Sequence, residues 1–485
     1  MTSESYGLER APEFNEGLDW VNTRGAVRLQ DLQGRVVLLD FWTYGCINCR
    51  HIQPRLAELE ERFSDSLTVI GVHAGKFAHE RNTDRLAQAC DRMGVEHAVV
   101  NDRHYRIWRA YGVQAWPTVA LVGADGSLLG VQPGEFSVED MAEAIESAVA
   151  RAENDGVLLR GPDPIVAPQP RVEGTLRFPG RVLLGASGQG FAGEADGASP
   201  NRLWVADTGH GRVLECSLDE ASAAATVLAE HGGFLEPQGL CLMDGALYVA
   251  DRAGHAVWRI SGDGERERVA GTGELAGFGG EPGHGPDIAL RSPWGLACRR
   301  DDIIISMAGA HQLWRLEPVT LHAVPWAGTG GEDLVDGSLG SALLSQPTGV
   351  SVCRGEVAFA DSESSAIRLA SEAGGDVSTI VGTGLFDFGD RDGVADEVLL
   401  QHAEDLAFFD DTALVVADTY NDRLKRVDLS TRGSVPWAGA AGESGSLREP
   451  AGVHVHGGRI AVADTANHRV MLVEPDGELR EVRFA

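Results

Sequence analysis

No run in these 485 residues approaches the roughly 18 consecutive apolar residues that cross a bilayer as a helix, so a membrane span is not expected. The opening stretch MTSESYGLERAPEF has no basic start leading into an apolar run, which argues against a secretory signal peptide. Basic residues are scarce: 41 Lys and Arg stand against 72 Asp and Glu, a formal net charge of −31. A nucleic-acid or anionic-membrane partner needs a basic patch, and none is visible; the acidity reads as solubility or adaptation to a salty cytoplasm. Cysteine is scarce too, with seven in all, an odd number that supplies no disulfide framework. Cytoplasmic residence is therefore the expectation, and there a CxxC pair is more often redox-active than structural.

Five of the seven, Cys90, Cys216, Cys241, Cys298 and Cys353, are scattered and read as small buried hydrophobes. The other two form the closely spaced pair Cys46-Ile47-Asn48-Cys49. Before it, Arg35 to Phe41 (RVVLLDF) reads as a buried strand; after it, Ile52, Leu56, Leu59 and Phe63 recur at helical spacing. Cys46 thus falls near a helix N-terminus, where unpaired backbone N–H groups and the helix dipole favour a thiolate nucleophile.

Downstream, Leu67 to His73 reads as a second buried strand, Thr83 to Met93 as a helix, His97 to Val100 as a strand and Arg106 to Tyr111 as a short helix. Two strands then flank a turn at Ala124-Asp125-Gly126, and a last helix runs from Ser137, an N-cap, to Arg151. This alternation predicts an α/β sandwich over residues 1–155. Asp40-Phe41-Trp42, three residues, Cys-x-x-Cys and Pro54, with Ala115-Trp116-Pro117-Thr118-Val119 opening a later strand, resemble the thioredoxin superfamily. The added helix and strand over about 75 to 111 resemble its redoxin branch.

That resemblance implies roles. Cys46 is the attacking thiolate and Cys49 the buried resolving thiol. Asp40, ending the strand beneath them, takes and returns the Cys49 proton. A cis Pro117 offers the Trp116 backbone to an extended substrate. No bound cofactor is called for beyond the dithiol itself. Half of a zinc site is the alternative for the pair, but His51 and His73 do not make a second pair of ligands, and His51 is expected to face solvent. Thr43 stands three before Cys46 as in peroxiredoxins, yet Leu39 occupies their proline position, which argues against a peroxidase.

Residues 156–172 carry four prolines and read as a stiff linker. Over 173–485 one pattern recurs six times: LWVADTGHGRVLEC at 203, LYVADRAGHAVWRI at 247, IISMAGAHQLWRL at 304, VAFADSESSAIRLA at 357, LVVADTYNDRLKRV at 414 and IAVADTANHRVMLV at 460. The marker positions Asp207, Asp251, Met307, Asp361, Asp418 and Asp464 lie 44 to 57 residues apart, the spacing of propeller blades. The copies resemble NHL repeats, so a six-bladed β-propeller is expected. The aspartates read as turn formers bonding their own loops, and the acidic loop Asp387 to Gly393 lacks the bidentate Glu of a calcium loop, so no metal site is expected.

A thioredoxin-like fold followed by an NHL propeller is similar to the family of NHL repeat-containing protein 2 and its bacterial relatives. Pro12-Glu13-Phe14, Leu18 to Thr23, Thr43 to Cys49, Val99 to Asp102, Trp116-Pro117-Thr118 and Phe178-Pro179-Gly180 carry the likeness. Two departures stand out: Gly45 occupies a position where the animal protein has another cysteine, and no C-terminal β domain is expected after the sixth repeat. The resemblance implies a cytoplasmic thiol-disulfide oxidoreductase acting on a protein or small-molecule disulfide, with the propeller shaping or presenting the substrate and the cleft between the domains as the expected site. The alternative from another class is a scaffold or redox sensor whose propeller binds a protein partner.

Overall fold

Buried apolar strands and amphipathic helices alternate through the first third of the chain, and short twisted strands with tight turns fill the rest. The structure, a computed structural model, describes residues 10–185, 201–439, 446–474 and 476–485. Most of the opening stretch weighed above as a leader lies outside them. Among the described residues no helix is long and apolar enough to cross a membrane. The chain divides into two compact units, Met1–Val172 and Glu173–Ala485.

The first unit is a six-stranded sheet in the order β1-β4-β3-β2-β5-β6. The strands are β1 (Asp19–Val21), β2 (Val36–Trp42), β3 (Leu67–His73), β4 (Ala98–Asn101), β5 (Thr118–Val122) and β6 (Leu128–Pro133). β2, β3 and β4 run parallel, while β5 is antiparallel to β2. Central β2 is buried along its whole length because both faces are covered. Val37, Leu39 and Phe41 pack with Trp108 and Tyr111; Val36 and Leu38 pack against α1 (Ile47–Arg62) and α4 (Val138–Asn154). Strand alternation therefore turns Asp40 to the α1 side. Helix α2 (Thr83–Met93) and the short α3 (Arg106–Ala110) complete the unit. Ser137 caps α4, its Oγ accepting the Asp140 N–H at 3.1 Å. The helix runs three residues past Arg151, with Ala152 still buried.

The Pro-rich segment 156–172 forms neither helix nor strand, and it lies along this first unit. Leu159 N–H donates to Gly34 O at 2.7 Å, Gly161 N–H to Asp65 O at 2.8 Å and Ala167 N–H to Asn22 O at 2.7 Å. Three of its N–H groups are thus satisfied by carbonyls on the loops of the sheet.

The second unit is a six-bladed propeller. The blades begin with strands Arg181–Gly185, Pro237–Met243, Pro293–Arg299, Pro347–Cys353, Asp405–Phe408 and Pro450–His456, each the start of a four-stranded antiparallel meander. The final strand, Arg483–Phe484, returns to pair parallel with Ala224–Ala225 of the first blade and closes the ring. Ala461, Ala463 and Val470 of the sixth blade share a core with Val182, Leu203 and Val205 of the first.

The repeated aspartates bond beyond their own loops. Asp361 accepts the Ser345 N–H at 2.7 Å, Asp418 that of Gln401 at 2.8 Å and Asp464 that of Arg448 at 2.6 Å, each from the segment entering the blade. Each also meets a cation on the next strand: Arg368, Lys425 or Arg469. The carboxylates of the acidic loop are engaged likewise, with Asp390 and Asp392 lying 3.0 and 3.3 Å from Lys425 Nζ. Residues in the left-handed region just after three of the marker turns latch neighbouring blades: the Nδ1 atoms of His255, His311 and His468 accept N–H groups of Ser292, Gln346 and Phe178.

Candidate active site

At the C-terminal end of β2 the chain turns through Thr43-Tyr44-Gly45 into α1, with Cys46 at the N-cap. Its N–H donates to Thr43 O at 3.3 Å and its carbonyl accepts Arg50 N–H at 3.2 Å. Cys46 is half-buried and Cys49, one turn inside α1, is fully buried; both are free thiols. The Cys46 side chain is the neighbouring thiol, three residues back at the N-cap. Burial first, then that neighbour and the Asp40 carboxyl, push the Cys49 thiol well above the ordinary thiol range.

Asp40 is wholly buried under the helix, and burial pushes its carboxyl up to about 7 against the pull of His97 and Gln53. Gln53 Nε2 donates to Asp40 Oδ2 at 2.9 Å, while Oδ1 has no hydrogen-bond partner among the described residues. The structure thus brings three of the predicted residues, Cys46, Cys49 and Asp40, into one electrostatic group.

Pro117 lies one residue before the Phe41–Thr118 pair of β2 and β5, at the strand end from which the cysteine turn departs. The Trp116–Pro117 peptide is cis. Trp116 is half-buried, its indole N–H donates to Ala74 O at 3.0 Å, and its ring packs 4.7 Å from Trp108. Pro117 O accepts the Gly134 N–H at 2.8 Å.

The turn itself is held by residues the sequence reading missed. Glu80, fully buried, accepts the N–H of Gly45 through Oε1 and that of Phe77 through Oε2, each at 2.9 Å. The Tyr44 ring stacks on His73 at 5.4 Å and 14°. His73 is wholly buried and burial lowers its basicity to about 3, so it stands as a neutral ring. Gln53 carried a signal: it follows Cys49 by four residues on the sheet-facing side of α1. Glu80 carried none, since it lies 35 residues away in a polar loop.

Two expectations are corrected. His51 is buried rather than solvent-facing, its Nδ1 2.8 Å from Glu135 Oε1, because the segment leading into α4 covers that side of α1. Cys298 and Cys353 are half-buried rather than buried, being near the ends of their strands. Among the described residues no group of three or more His, Cys, Asp or Glu side chains is placed to hold a metal ion.

A family model described as thioredoxin-like matches residues 34–128. Over 96% of its length the chain is 32% identical to NHL repeat-containing protein 2 of Bos taurus, covering 70% of that protein. It is likewise 32% identical over 96% of its length to the chloroplastic protein SUPPRESSOR OF QUENCHING 1 of Arabidopsis thaliana, of which it spans only 46%. A quarter of the chain is 29% identical to the thiol-disulfide oxidoreductase ResA of Geobacillus thermodenitrificans, covering 67% of it.

Proposed function

The chain belongs to the family of NHL repeat-containing protein 2, and from the geometry of its cysteine turn we propose that it is a thiol-disulfide oxidoreductase. One observation carries the reading: a half-buried Cys46 at a helix N-terminus stands three residues before a wholly buried Cys49, with a protonatable Asp40 beneath them. The Cys46 thiolate attacks one sulfur of a substrate disulfide, forming a mixed disulfide and releasing the first thiolate. Asp40 takes the proton from Cys49, whose thiolate attacks Cys46 Sγ and releases the second substrate thiolate. The substrate gains two electrons and the cysteine pair becomes a disulfide.

A carboxyl that titrates near 7 suits this transfer, because it exchanges a proton at neutral pH in either direction. The substrate in this reading is a protein or small-molecule disulfide, the cis Pro117 offers the Trp116 backbone to it, and the propeller shapes or presents it in a reducing cytoplasm. The test is a Cys49→Ser trap. Mixed disulfides should accumulate on Cys46 and disappear with Cys46→Ser. Absence of any trapped species, with protein or with small disulfides, favours a scaffold.

A further inference from the structure

The propeller holds a second close pair of thiols. Cys241 lies on Pro237–Met243, the first strand of the second blade, and Cys298 on Pro293–Arg299, the first strand of the third. The two strands touch through backbone: a Cβ on Gly239 would lie 2.5 Å from Trp294 O and 2.8 Å from Leu296 N. Two residues further along each strand stand the cysteines. Cys298 Sγ donates to the carbonyl of Leu242, the neighbour of Cys241, at 3.0 Å. Both sit in one apolar cluster with Met243, Leu296, Ile303 and Ile305.

The arrangement repeats the asymmetry of the cysteine turn. Cys241 is buried and Cys298 half-buried, as Cys49 is buried and Cys46 half-buried. In each pair burial first, and then the partner cysteine, push the buried thiol well above the ordinary thiol range. The two cysteines are 57 positions apart and belong to different blades, so no sequence motif marks them.

We propose that Cys241 and Cys298 are a second redox site, forming a reversible disulfide that ties the second blade to the third. The oxidant is a low-molecular-weight disulfide. The half-buried Cys298 attacks one of its sulfurs as a thiolate, giving a mixed disulfide and releasing one small thiolate. Cys241, deprotonated, then attacks Cys298 Sγ and releases the second, so two protein thiols are oxidised and one small disulfide is reduced, with two protons lost to solvent. A thiol reductant reverses both steps.

The test uses the full chain carrying Cys46→Ser and Cys49→Ser, so that only the scattered cysteines remain. Incubation with glutathione disulfide, alkylation and non-reducing peptide mapping should reveal a Cys241–Cys298 linkage that dithiothreitol removes. Adding Cys241→Ser should arrest the reaction at a glutathione adduct on Cys298, and adding Cys298→Ser should abolish adduct and linkage alike. Complete alkylation of both cysteines after oxidation, or a lasting adduct on Cys298 with Cys241 still free while both are present, overturns the proposal. The linkage in the protein that retains both propeller cysteines decides it, whether or not the single variants fold.

Discussion

Glu80 Oε1 accepts the backbone N–H of Gly45, the residue immediately before Cys46, at 2.9 Å. Its second oxygen accepts Phe77 N–H, so one buried carboxylate ties the cysteine turn to the loop after β3. Placement of the attacking thiol therefore depends on a residue that makes no contact with the substrate in the proposed reaction. Glu80→Ala removes the acceptor of two buried N–H groups, each worth about 1–3 kcal/mol. Thermal unfolding should show the thioredoxin-like unit destabilised, and alkylation of Cys46 should change rate. A variant with native unfolding and native alkylation would remove Glu80 from the account.

Asp40 sets a pH dependence whose sign follows from burial. Its carboxyl ordinarily titrates at 3.8 and is pushed up to about 7 in the fold. Between those values the folded chain holds a proton that the unfolded chain has lost, so the contribution of the neutral carboxyl is complete below about pH 4 and is lost as pH rises towards 7. Asp40→Asn should flatten that window and be more stable than the parent at pH 8 by up to about 4 kcal/mol. The same variant should release product more slowly, with the mixed disulfide on Cys46 persisting. Chemical denaturation across pH 4 to 8 checks the first part and quenched mass spectrometry the second.

Asp361 and Arg368 form a wholly buried pair at 2.9 Å in the fourth blade. Asp361→Ala leaves the guanidinium without its buried carboxylate partner, and breaking such a pair costs about 3–5 kcal/mol. Calorimetry should show the propeller transition lowered. Thiol reactivity of Cys46 should stay at the parental rate, which separates the structural aspartates from the redox site.

Much of this was legible in the residues because the deciding interactions are local or periodic. The step from RVVLLDF to a helical apolar stripe places Cys46 and Cys49, and period-2 alternation puts Asp40 on the helix side. Six copies of one strand-turn-strand pattern give the blade count. What stayed hidden is what only folding assembles: Glu80 reaching Gly45, Glu135 covering His51, Cys298 reaching the Leu242 carbonyl beside Cys241, and the Pro-rich segment finding Gly34, Asp65 and Asn22. In each case the partners are polar or small residues without periodicity, separated by dozens of positions.

In the proposed function the Cys46–Cys49 pair turns over between dithiol and disulfide. Titrating the full chain in glutathione redox buffers, with alkylation mapped at Cys46 and Cys49, measures it directly. A single two-electron transition at these two cysteines is expected, with disulfide reduction lost in Cys46→Ser. A pair that stays reduced across the buffer range, or unchanged disulfide reduction by Cys46→Ser, would contradict it.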